Sequence, residues 1–96
     1  MLGYPQIVPS SGSGCWPQVP FLPQDVTYFR NKTVELNAML AARAAANAAT
    51  YVDLYTPSTG HDACRNSTNR WVEPLVPGNT AAPFHPNATG MQGFAT

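Results

Sequence analysis

Ninety-six residues suit one small domain or a part of a larger one, and an apolar fraction of 44% argues against wholesale disorder. Five Lys or Arg balance five Asp or Glu, so no basic stripe offers itself to the phosphates of a nucleic acid. No run of about 18 apolar residues is present, which excludes a membrane-spanning helix on sequence grounds.

The chain opens on Met1-Leu2-Gly3-Tyr4-Pro5, which lacks the charged region and apolar core of a signal peptide. Leu2-Gly3-Tyr4 and Gln6-Ile7-Val8 have strand composition, with Pro5 breaking the ladder between them. A domain seldom begins on a strand, so an upstream segment is expected. Residues 9–24 read as loop, with prolines at 17, 20 and 23 excluding regular helix. Asp25 reads as an N-cap, and a long helix is predicted from Val26 to about Ala49. Phe29, Thr33, Leu36, Leu40 and Ala44 recur at three- and four-residue steps as one apolar stripe. Arg30, Lys32, Glu35, Asn37 and Arg43 fall mostly away from it.

Thr50 to Tyr55 is the best strand candidate, ended by Pro57. Strand, long helix, strand makes a βαβ unit with a parallel pair and a right-handed crossover. Ligands of such sheets sit outside the carboxyl ends of the strands, so a site is expected after Tyr55. The stretch from Thr56 to about Pro83 is a loop of roughly thirty residues, a length that in compact domains often serves function. Then comes Pro83-Phe84-His85-Pro86-Asn87. Pro86 disfavours helix at His85 and suits the first position of a final helix. That holds an imidazole, the side chain best suited to move protons near neutral pH, on a stiff corner. A surface histidine in a turn is the plain alternative.

Cys15 and Cys64 have no metal-binding spacing. In an oxidising compartment they read as one disulfide, contributing roughly 4 kcal/mol by closing a loop of about 50 residues. In the cytosol they read as two buried thiols. A disulfide would join the two loops at the sheet edge where His85 is also expected. A histidine base needs a nucleophile, yet none of Ser10, Ser11, Ser13, Ser58 or Ser67 lies in a G-x-S-x-G elbow. Asp53, Asp62 and Glu73 are lone carboxylates, a type usually solvated or capping. No phosphate-cradling loop, dinucleotide fingerprint or metalloprotease helix occurs, so neither cofactor nor metal is expected. Asn31, Asn66 and Asn87 head glycosylation-type triplets, a pattern that arises often by chance.

Several motifs in order nonetheless resemble one family. Gly3-Tyr4-Pro5, Gly14-Cys15-Trp16-Pro17, Leu36-Asn37, Tyr51-Val52-Asp53, Gly60-His61-Asp62-Ala63-Cys64, Arg70-Trp71-Val72 and His85-Pro86-Asn87-x-x-Gly90-Met91-Gln92 are similar to the C-terminal half of secreted SGNH (GDSL) esterases and lipases of the actinobacterial type. The resemblance implies an α/β fold, residues 1–96 being the C-terminal portion of a three-layer α/β/α sandwich. It implies hydrolysis of carboxylic esters by a serine nucleophile, a small-molecule or lipid ester as substrate, and an extracellular location. By the same resemblance His85 is the general base, and Cys15 and Cys64 form a disulfide. Many relatives carry an aspartate three residues before the histidine. Here Ala82 stands there, and its backbone carbonyl is the implied orienter of His85. The Gly-Asp-Ser block with the nucleophile, and the family's further oxyanion donors, are not in this sequence, so the chain is expected to be inactive alone. Two other readings remain: a disulfide-bearing binding module using Trp16 and Trp71 as contact surface, and a non-functional remnant prone to aggregate through an unpaired sheet edge.

Overall fold

Pro23 sets where the long helix begins. The structure is a computed structural model describing residues 1–96, and its first helix, α1, runs Pro23–Ala46. Pro23 occupies the first turn, where its missing N–H has no intrahelical partner to lose. It therefore starts the helix rather than excluding it. Asp25 lies in the first turn and is not the cap; Leu22 is. There its negative charge favours the helix's positive end. Asn47 closes the other end, its backbone N–H donating to the carbonyl of Ala44 at 3.1 Å while Ala48 N donates to that of Ala45 at 3.3 Å.

The inward face of α1 carries Val26, Phe29, Thr33, Leu36, Leu40 and Ala44, the expected stripe extended one turn towards the N-terminus. Two polar residues assigned to the outer face also turn inward. Arg30 reaches the carbonyls of Pro9 (2.6 Å) and Gly12 (2.7 Å). Asn37 is buried, its Oδ1 accepting from Tyr4 N at 2.7 Å and its Nδ2 donating to Tyr4 O at 3.0 Å. Its amide occupies the main-chain groups of Tyr4 as a neighbouring strand would.

That substitution limits the sheet. The N-terminal stretch and residues 50–55 do lie side by side and parallel, but they share a single bridge, Leu2 with Val52. Gly3 N donates to Val52 O (3.0 Å) and Val52 N to Met1 O (2.9 Å). Beyond it Tyr4 is taken by Asn37 and Pro5 has no N–H to give. Gln6 N turns to Ser58 Oγ, and Asp53 Oδ1 accepts from the amides of Tyr55 and Thr56. The two expected strands are thus a parallel contact, and these residues do not form the wide sheet of a sandwich.

The core is small: Val8, Val19, Val26, Ala63 and Val72 are buried together, with Ile7, Phe21, Phe29 and Phe84 against them. The long loop is fastened to this core at several points. Cys15 and Cys64 form a disulfide, Ala63 N donates to Ile7 O, and Leu75 N donates to Gln18 O. An antiparallel bridge pairs Val72 with Pro86. The final helix, α2, spans Ala88–Ala95 and starts two residues after Pro86, because Asn87 is its N-cap and accepts from Gly90 N at 2.8 Å. α2 packs against Trp71, whose ring meets Phe94 edge-on and stacks on His61 at 4.1 Å. A β-carbon at Gly90 would collide with the Trp71 carbonyl, so only glycine lets the helix lie this close.

Candidate active site at His85

His85 sits in the turn between the Val72–Pro86 bridge and Ala82. Its backbone N donates to Ala82 O at 3.1 Å, closing a four-residue turn. Phe84, inside that turn, has φ of 59°, a left-handed conformation uncommon for a bulky side chain. It persists because Phe84 N donates to Glu73 O at 2.9 Å and its ring stacks on Phe21, 6.0 Å between centroids. Strained backbone held by its surroundings is a frequent companion of functional residues.

The imidazole is exposed and makes one hydrogen bond: Nδ1 lies 2.9 Å from the carbonyl oxygen of Pro83. The carbonyl that meets the ring is therefore that of Pro83 and not the expected one of Ala82, whose oxygen accepts from the backbone N of His85. A carbonyl only accepts, so neutral His85 carries its proton on Nδ1 and leaves Nε2 free to take one.

Beside the ring opens a cavity of about 650 Å³. Tyr4, Pro5, Ile7, Phe21, Phe29, Leu36, Phe84 and Pro86 make it largely apolar, with Lys32, Thr33 and His85 as its polar members. Its volume falls within the range of small-molecule sites. No serine hydroxyl bonds to His85. Ser58, which is buried, accepts from Gln6 N and donates to Tyr55 O at 2.8 Å, a structural commitment that removes it as a nucleophile.

The lone carboxylates divide sharply. Asp53 is exposed and caps the turn at Thr56, whose hydrogen bond holds its pKa below the usual value. Asp62 is buried and shapes the bend before the disulfide, accepting from Cys64 N at 2.9 Å and Arg65 Nε at 3.0 Å. Glu73 is the unforeseen member. It is wholly buried, and its Oε1 accepts from Arg70 Nε (3.0 Å), Gly78 N (3.0 Å) and Asn79 N (3.2 Å). Its Oε2 accepts from Asn79 Nδ2 (3.0 Å) and Asn87 Nδ2 (2.7 Å). Burial pushes this carboxyl up, but bonds from Arg70, Asn79, Asn87 and Gly78 outweigh it and hold the pKa at about 2. The sequence signal was slight: Arg70 and Glu73 three apart, followed by Gly78-Asn79. Asn87, one of the glycosylation-type positions, is buried in this network and closed to modification. Of the two tryptophans, Trp16 is exposed while Trp71 is packed between His61 and Phe94.

The profile of the GDSL-like lipase/acylhydrolase family matches residues 4–92. Among curated proteins, Lipase 2 of Streptomyces coelicolor is 41% identical over 95 residues, covering 98% of this chain and 32% of that protein. Lipase 1 of the same organism is 40% identical over 58 residues, covering 60% of this chain and 21% of that protein. Among solved structures, phospholipase A1 from Streptomyces albidoflavus NA297 superposes with a TM-score of 0.78 at 26% identity, over 98% of this chain and 38% of that one. This likeness agrees with an α/β fold. The chain spans about a third of the length of the Lipase 2 relative, and across nearly all of its own length it belongs to the GDSL-like lipase/acylhydrolase family.

Proposed function

We propose that this chain supplies the histidine half of a secreted carboxylic ester hydrolase, as the C-terminal portion of a three-layer α/β/α sandwich. His85 is the general base. Its Nε2 takes the proton of a serine hydroxyl as that oxygen attacks the ester carbonyl, then returns it to the departing alcohol. The Pro83 carbonyl keeps the other proton on Nδ1 and steadies the imidazolium, the part an aspartate plays in a triad. The nucleophile belongs to a Gly-Asp-Ser block outside this sequence, so the chain alone is inactive. The observation that carries the reading is the placement of His85, with Nδ1 on a backbone carbonyl, at the lip of an apolar cavity of about 650 Å³. That lining favours esters with an apolar acyl chain, lipids included.

The test is hydrolysis of a short-chain p-nitrophenyl ester by the purified chain beside His85→Ala. Equal background rates are expected. A rate in the chain that disappears in His85→Ala would place a nucleophile among its own serines and end the half-site reading.

A further inference from the structure

We propose that Glu73 is a positioning residue for His85, an inference that rests on the reading of His85 as general base. Glu73 grips the histidine turn with both its main chain and its side chain. Its backbone N donates to His85 O at 3.1 Å and its carbonyl accepts from Phe84 N at 2.9 Å. Its carboxylate takes the amides of Gly78 and Asn79 on the approach to the turn and the Asn87 side chain on the exit. Asn87 passes the hold onward, donating also to Arg70 O at 2.8 Å and capping α2 through Gly90 N.

The imidazole itself has one tether, to the carbonyl of Pro83 two residues away. A ring attached only to its own turn points where the turn points. Glu73 joins the pieces of chain before and after that turn to a single buried carboxylate, and Arg70 neutralises it from 2.9 Å. Charge-assisted bonds to a buried, fully satisfied carboxylate are stiff, and loss of one partner strands the others. Catalysis by a histidine tolerates little misplacement: a shift of about 1 Å costs up to about 100-fold in rate.

The experiment is long-range proton–nitrogen NMR of the two imidazoles in the 96-residue chain, comparing wild type with Glu73→Gln. His85 in the wild type should show one dominant tautomer with the proton on Nδ1. In Glu73→Gln the His85 nitrogens should move towards the averaged values of a free imidazole, while His61, stacked on Trp71, keeps its pattern. A general structural lesion would disturb both rings, and a folded variant with both unchanged overturns the proposal, as does one in which both average. Should Glu73→Gln not fold, Asn79→Ala, which removes one donor to Oε2, takes its place with the same readouts. A second arm uses a fusion to the Gly-Asp-Ser portion of a family hydrolase. There Glu73→Gln should lower kcat about 10- to 100-fold with KM within about twofold. Unchanged kcat overturns the positioning role, whereas activity surviving His85→Ala overturns the general-base reading instead.

Discussion

Acid should loosen this protein through one carboxylate. Glu73 is held at a pKa of about 2 in the folded chain, against an ordinary glutamate value of about 4.3. A depressed carboxyl stabilises the fold wherever it is ionised in both states, that is, above the unfolded value, and this contribution fades as pH falls through the folded value. The window is therefore roughly pH 4.5 down to 2. A gap of a little over two pH units, at 1.36 kcal/mol each, amounts to about 3 kcal/mol, a large fraction of the stability of a domain this size. Urea unfolding followed by tryptophan fluorescence at pH 6, 4 and 2.5 would measure it, with Glu73→Gln as reference because other carboxylates, Asp53 among them, also titrate. The stability difference between wild type and variant should be largest at pH 6 and shrink by about 2 kcal/mol by pH 2.5, the rest being lost only below the folded value. A difference constant from pH 6 to 2.5 would refute the assignment of a charged, network-held Glu73.

Other consequences concern the fold. Replacing Cys15 and Cys64 together by alanine should cost about 4 kcal/mol in the chain-entropy picture, read as a lower urea midpoint, and reduction of the wild type should match it. Gly90→Ala should destabilise by about 1–3 kcal/mol through the clash with the Trp71 carbonyl, although alanine is the better helix former; a gain in thermal midpoint would show that α2 is free to move away. Asn37→Leu keeps the bulk but leaves Tyr4 N and O without partners and should cost about 1–3 kcal/mol, whereas a neutral effect would mean that water replaces the amide.

How much of this could be read in the residues follows from how local each determinant is. The stripe on α1 depends on spacing alone and was legible, as was the parallel placement of the first and third elements. The helix start is less local, because Asp25 is a common cap and Pro23 a common breaker, and only the geometry places Pro23 at the first turn. Strand composition does not say which group will satisfy the backbone, and at Tyr4 it is a helix side chain. The disulfide was expected from the cysteines and the resemblance, and it is present. His85 was legible as a histidine on a stiff corner. The contact with Pro83 rather than Ala82 belongs to a turn in which the Ala82 oxygen is taken by the His85 amide, a detail that no motif encodes. Glu73 looked like any lone carboxylate, because its five donors come from Arg70 and from residues 78, 79 and 87, gathered only by the folded loop.

The general-base role of His85 is tested most directly by joining the Gly-Asp-Ser portion of a family hydrolase ahead of Met1 and measuring p-nitrophenyl ester hydrolysis with and without His85→Ala. Hydrolysis should appear on joining and fall by several orders of magnitude in His85→Ala, as expected when one member of a serine–histidine unit is removed. Restored hydrolysis that His85→Ala leaves intact would contradict the role given to this histidine.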